Sequence, residues 1–202
     1  MADDQTLRFY ADNAATYVDR ARGHPNTQLL AFLAALPRGA RILELGTGGG
    51  DDAHFMLAQG FDIQPTDASP ELAKEAEARI GRPVQIMRFD ELAERDTYDG
   101  VWASACLLHA PIAELTDDLS LIHQALRPGG LFVASFKAGN GEGRDQFGRY
   151  YNYPDRATLD ARYTSAAPWA ELAFSERLGR GYDDQPTLWH WVTARKSTLS
   201  GR

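Results

Sequence analysis

Between residues 27 and 137, short apolar runs alternate with segments whose apolar residues recur every three or four positions. That alternation calls for a parallel sheet with crossover helices on both faces. Strands are expected at residues 41–45, 61–66, 84–89, 98–105 and 131–136. The first helix spans 27–36, with Leu29, Leu30, Phe32, Leu33 and Leu36 at helical spacing and Pro37 as its stop. The second, 51–59, opens with two acids where the helix dipole favours them. Ser69 caps the third, with Pro70 at its first position and Leu72, Ala73, Ala76 and Ile80 on its inner face. A fourth carries Ile112, Leu115, Leu119, Ile122 and Leu126 before Arg127-Pro128-Gly129-Gly130 turns the chain.

Beyond residue 137 the pattern changes. Residues 138–145 are rich in Gly and charge and read as a loop, and 147–169 are dense in aromatics. Runs at 171–178 and 187–195 alternate like exposed strands about a Gly-Tyr-Asp-Asp-Gln-Pro turn, the pattern of an antiparallel hairpin closing the sheet. The 202 residues fit one domain, and 44% hydrophobic content suits a globular fold. A net charge of -7 disfavours nucleic acid as a partner. Cys106, the single cysteine, excludes an internal disulfide and suits a reducing compartment. No targeting segment is evident and no apolar run is long enough to span a bilayer, so a cytoplasmic protein without a membrane partner is expected.

Residues 44–50 read Glu-Leu-Gly-Thr-Gly-Gly-Gly at the turn from the first strand into a helix, where ligands sit in open α/β sheets. Alone the loop is weak evidence, and a plain tight turn is the bland alternative. Asp67, 23 residues after Glu44, ends the second strand, where a carboxylate can accept from both hydroxyls of a ribose. It could also simply cap the helix at Ser69. Asp90, at the end of the third strand, could accept from an exocyclic amine such as that of adenine, or be a solvated acid. A dinucleotide would want G-x-G-x-x-G and a helix start free of anions. Gly46, Gly48 and Gly50 give G-x-G-x-G instead, followed by Asp51 and Asp52 and preceded by Glu44. These anions favour a cationic nucleoside cofactor, and S-adenosylmethionine carries both a sulfonium and an amino group.

ILELGTGGG, TDASPEL, RFDEL, YDGVWASACLLHAP and LRPGGLFVASF, in that order, resemble the successive motifs of class I S-adenosylmethionine-dependent methyltransferases, and within these the small bacterial tellurite-resistance type. The resemblance implies a Rossmann-like α/β three-layer sandwich whose seven-stranded sheet has six parallel strands and one antiparallel. It implies Glu44 near the methionine end of the cofactor, with Gly46, Thr47, Gly48 and Gly50 shaping the loop. Asp67 would hold the ribose, Ala68 would pack on adenine, Phe89 and Asp90 would bracket the adenine edge, and Ala103 and Ser104 would offer backbone to the methionine portion. Residues 1–26 resemble a lid in which Tyr10 and Tyr17 cover the cofactor, although core packing accounts for either tyrosine equally well.

The function implied is methyl transfer to a small-molecule acceptor by in-line displacement. A nicotinamide-dependent oxidoreductase and a non-catalytic S-adenosylmethionine-binding protein are the alternatives. Positioning supplies much of the rate of such a transfer, and a general base helps acceptors that must lose a proton. His109 is the candidate base, or else a histidine that hydrogen-bonds backbone at the mouth of the sheet. As a base it must be neutral, so activity is expected to rise through pH 6.5 if the imidazole is unperturbed. Phe147, Tyr150, Tyr151, Tyr153 and Trp169 fall where an acceptor wall is expected, with about half of them assigned to core instead. Arg144, Arg149 and Arg156 interleave with them and could grip an acidic acceptor or be solvated. His24, His54, His123 and His190 lack metal-ligand spacing, so no metal is expected.

Overall fold

The computed structural model describes residues 3–19 and 27–198. Its elements run α1 (Asp4–Asp12), α2 (Ala14–Val18), α3 (Thr27–Ala34), β1 (Arg41–Leu45), α4 (Asp51–Ala58), β2 (Asp62–Asp67), α5 (Pro70–Ile80), β3 (Gln85–Ile86), β4 (Tyr98–Ala103), α6 (Leu115–Ala125), β5 (Leu126–Lys137), β6 (Gly143–Arg144), β7 (Tyr150–Tyr151), α7 (Arg156–Ala166), β8 (Trp169–Arg180) and β9 (Pro186–Lys196). Seven strands form one sheet in the order β3-β2-β1-β4-β5-β9-β8. Strands β1 to β5 pair in parallel, β9 runs antiparallel to β5, and β8 antiparallel to β9. Six strands therefore share one direction and β9 opposes them, as the motifs implied.

Period-two side-chain alternation explains the two faces. In β1, β4 and β5, Ile42, Trp102, Leu131 and Val133 point to the α3 and α4 side with Leu29, Phe32 and Met56. Leu43, Val101, Phe132 and Ala134 point to the α6 and α7 side with Leu119, Ile122 and Tyr163. Burying each of these large side chains stabilises the fold by about 1.5–3 kcal/mol. Ser69 caps α5 by accepting from the Leu72 N–H, with Pro70 opening the helix and Gly81 closing it at φ +69°.

Four expectations need adjusting. The third strand is only Gln85–Ile86, and the chain then bends so that Phe89 and Asp90 lie in a 3-10 turn. Exposed Gln85 and half-buried Arg88 give this edge little apolar surface to bury. The helix before Arg127 begins at Leu115, and Leu126 already belongs to β5. The aromatic stretch holds a helix, α7, capped by Asp155, whose side chain accepts from the Thr158 N–H. Its helical period is masked by aromatics lying outside it. The hairpin strands are longer than expected, at twelve and eleven residues. Residues 20–26 of the lid-like segment, including His24 and Pro25, lie outside the described residues. No helix among the described residues is long and apolar enough to cross a membrane.

Candidate active site

The carboxyl ends of β1, β2 and β4 meet under α1. Gly46 leaves β1 at φ +65°, and a Cβ there would lie 2.5 Å from the Cys106 Cβ, so backbone conformation and space both demand glycine. Gly48 and Gly50 are also left-handed, at φ +55° and +79°. Asp67 is buried at the end of β2, with one oxygen accepting from the Gly48 N–H and the other from the Ser69 N–H, both at 2.9 Å. It is thus not the cap of α5, which is Ser69, but a brace on that cap and a clasp on the glycine loop. Each oxygen keeps a further lone pair for a ligand. Burial, opposed by those backbone donors, raises its pKa to about 6. Glu44 is buried too, and its carboxylate accepts from the Thr47 hydroxyl at 2.5 Å.

Of these two carboxylates only Asp67 lines the cleft, and neither of the two acids of α4 does. Asp51 is paired with Arg79, and Asp52 accepts from the Trp102 indole N–H at 2.8 Å. Ala68 and Phe89 line the cleft beside Gly46, Gly48 and Asp67, with Leu72 and Arg88 completing that end. Asp90 is exposed on its 3-10 turn. At the end of β4 the lining residues are Ala105 and Cys106, whereas Ala103 is fully buried and Ser104 half-buried. Ala105 adopts φ +53°, a left-handed backbone costing about 1 kcal/mol for a non-glycine residue, and its N–H donates to the Ser135 hydroxyl. Burial pushes the Cys106 thiol well above its usual pKa, so it is inert packing.

A second, larger cavity of about 660 Å3 opens on the other side of α1, walled by Tyr151, Tyr182 and Trp189 with Lys137, Arg149 and Arg180. Tyr10, Tyr17, Ala105 and His109 line both cavities and form the partition between them. His109 is held at both ring nitrogens. Nδ1 lies 2.6 Å from the Tyr150 carbonyl oxygen, which can only accept, so the proton sits on Nδ1. Nε2, 2.9 Å from the Tyr10 oxygen, must then accept from the Tyr10 hydroxyl. Arg149 in turn donates to that oxygen at 3.1 Å. The backbone bond considered from sequence is thus present, and the ring also lines both cavities. Burial lowers its pKa to about 4, with the Tyr150 bond opposing, so the imidazole is neutral well below pH 6.5 and the expected pH limb moves down.

Asn152 fixes the turn that carries His109, donating to the carbonyls of Leu107 and Ala110 at 2.9 and 3.1 Å. Arg149 is buried and bound to Asp145 through Nε and a terminal nitrogen at 2.9 and 2.7 Å. Its guanidinium lies over the rings of Phe9 and Tyr182 at 4.9 and 4.7 Å. Arg144 binds Asp3, the α1 cap, and Arg156 lies 4.0 Å over Phe174, so neither lines the cavity. Of the expected aromatic wall, Tyr151 lines the cavity, with Tyr153 stacked behind it. Trp169 packs in the core against Phe132, Tyr163 and His123. Phe147 clusters with Phe9 and Tyr182, and Tyr150 hydrogen-bonds Glu142. Sequence reading missed Lys137, Tyr182 and Trp189, because a hairpin and its turn look like scaffold until the turn folds back over the sheet. Among the described residues no group of His, Cys, Asp or Glu is placed to hold a metal ion.

The family model for a methyltransferase domain matches residues 18–193. The chain belongs to this family. As a methyltransferase domain it is 29% identical to an uncharacterized methyltransferase from Synechocystis sp. over 101 residues, 49% of this chain and 48% of that protein. It is 31% identical over 116 residues to the ubiquinone biosynthesis O-methyltransferase of Xanthomonas campestris pv. campestris, covering 52% and 46%. The chain spans about half the length of these curated relatives. Among solved structures, Burkholderia thailandensis 1,6-didemethyltoxoflavin-N1-methyltransferase, crystallised with 1,6-didemethyltoxoflavin and S-adenosylhomocysteine, superposes with TM-score 0.71 at 25% identity, over 95% of this chain and 85% of that one. A methyltransferase from Methanosarcina mazei superposes with TM-score 0.73 at 14% identity, over 87% and 99%, and shares the fold.

Proposed function

We propose that this methyltransferase domain moves a methyl group from S-adenosylmethionine to a nitrogen or oxygen of a small planar molecule, and that residues 1–202 work as one domain. One observation carries the reading: a cleft built on the glycine loop, Asp67, Ala68 and Phe89 meets an aromatic cavity across a partition of Tyr10, Tyr17, Ala105 and His109. The residues present fit the cofactor. Gly46 and Gly48 leave bare backbone, the buried Asp67 carboxylate suits ribose hydroxyls, and Ala68, Leu72 and Phe89 supply an apolar surface beside it.

When bound, S-adenosylmethionine supplies an already activated methyl, so the protein has only to position the acceptor and hold its proton. Asp67 would accept from the ribose hydroxyls and Ala68 and Phe89 would hold the adenine, with the exposed Asp90 outside that contact and Glu44 with Thr47 supporting the loop at the methionine end. Ala105 and Cys106, two residues beyond Ala103 and Ser104, would hold the methionine portion in their place. Tyr10 takes the acceptor's proton while passing its own to His109 Nε2, and Arg149 steadies the phenolic oxygen as charge develops there. Nδ1–H stays on the Tyr150 carbonyl throughout.

The cleft beneath α1 holds about 70 Å3, far below the several hundred that a nucleoside ligand needs, so α1 lifts to admit the cofactor. The tellurite-resistance likeness of the motifs ranks below a planar acceptor, because the larger cavity is walled by aromatic rings. A cytoplasmic setting agrees with the single buried cysteine. Thermal shift with S-adenosylhomocysteine, S-adenosylmethionine and NAD, followed by an acceptor assay on catechols and planar N-heterocycles, tests the reading. Stabilisation by the first two and turnover on a planar acceptor are expected. Stabilisation by NAD alone, or no turnover on either class, would overturn it.

A further inference from the structure

The larger cavity has three cations on its lining, and they differ in what already satisfies them. Arg149 is neutralised by Asp145. Arg180 is exposed and donates to the Asp184 carbonyl at 2.9 Å. Lys137, the last residue of β5, is only 6% exposed, and among the described residues no hydrogen bond or ion pair reaches its ammonium. Its contact is the Tyr151 ring, 4.3 Å below Nζ. Burial lowers its pKa, with Asp183 opposing, Arg149 adding to the lowering and Asp145 opposing.

A cation buried without a hydrogen-bonded anion is costly, and a cation–π contact offsets only part of that cost. The strand register that pairs Lys137 with Trp189 sets it beside that residue on the cavity wall. A base as weak as His109 also suits an acceptor whose own proton is acidic, since transfer to it from an ordinary hydroxyl would be steeply uphill.

Resting on the methyltransferase reading above, we propose that the acceptor is a planar aromatic molecule bearing an anionic oxygen, and that Lys137 recognises that oxygen and so sets specificity. The aromatic walls hold the ring plane, the ammonium fixes one edge of it, and the atom to be methylated is presented at the Tyr10–His109 partition. Carboxylate and ionised phenol share this chemistry. Lys137 acts on orientation and leaves the cofactor cleft untouched, because it does not line it.

The test uses the full chain saturated with S-adenosylhomocysteine and two isosteric probes, 4-hydroxybenzoate and 4-hydroxybenzamide, titrated calorimetrically into the parent, Lys137→Met and Lys137→Arg. The parent should bind the carboxylate at least about tenfold more tightly than the amide, as a lost charge-assisted bond implies. Lys137→Arg should keep that preference and Lys137→Met should lose it, with S-adenosylhomocysteine affinity equal in all three. Equal binding of the two probes by the parent, binding of neither, or a preference that survives in Lys137→Met would overturn the proposal. Failure of the parent to bind S-adenosylhomocysteine, measured first, would remove the methyltransferase reading and the proposal with it.

Discussion

Replacing His109 by Asn removes the one imidazole at the partition, and its effect on stability can be worked from linkage. In the unfolded chain the ring titrates near 6.5, and in the fold near 4. Between those values the unfolded state binds more protons, so this group makes stability fall as pH drops from 6.5 towards 4 and contributes no slope above 6.5. At 1.36 kcal/mol per pH unit, the full shift is worth roughly 3 kcal/mol. The ring edge faces the cavity, and water there weakens the burial effect, so about 2 kcal/mol is expected between pH 7.5 and 4.5. Urea unfolding followed by tryptophan fluorescence at both pH values should show the parent losing about 2 kcal/mol more than His109→Asn. Turnover of the parent should lack a limb at pH 6.5, and that of the variant should fall about 100-fold through loss of the proton acceptor. Parallel pH-stability curves, or an NMR titration of His109 near 6.5, would refute the reasoning.

Tyr10→Phe should cut turnover on a hydroxyl or N–H acceptor about 10- to 100-fold while S-adenosylhomocysteine affinity stays within a few-fold, measured by initial rates and calorimetry. Gly46→Ala combines a left-handed backbone, costing about 1–2 kcal/mol, with a clash against Cys106 costing about 1–3 kcal/mol. Chemical denaturation should therefore show a loss of about 2–5 kcal/mol, and Cys106→Gly in the same chain should restore part of the clash component alone. Asp67→Ala should weaken S-adenosylhomocysteine binding by about 1.5–3 kcal/mol and free the Gly48 N–H. Unchanged calorimetric affinity in the folded variant would assign Asp67 to loop structure only.

How far the sequence alone reveals this molecule depends on the range of the interactions involved. Ser69-Pro70, the Gly46 turn and the β1, β2, β4 and β5 runs are determined by neighbours a few residues away and form where read, although β4 stops at Ala103 instead of Ala105 and β5 starts at Leu126, ahead of the expected turn. Asp67 was legible because strand end and glycine loop have a known spacing. The partition was not. Tyr10 meets His109 across 99 positions, and Arg149 meets Tyr10 across 139, contacts that no local pattern encodes. The third strand was overread, since β-branched and apolar residues at 84–89 suggested pairing along a length that this polar edge does not sustain. Ala105 gave no hint of its left-handed backbone, because alanine rarely adopts it.

The placement of Tyr10 on α1 governs timing. The phenol reaches His109 only when the helix lies across the cleft, with Asp3 bound to Arg144 and the Thr6 hydroxyl accepting from the Tyr150 N–H. On the proposed mechanism, enclosure and readiness to take a proton are then a single event, like an interlock on a furnace door. An acceptor that keeps α1 from settling would break that relay, and would be rejected even if it fills the aromatic cavity. A water molecule wandering into the lifted site finds a histidine whose partner has moved away.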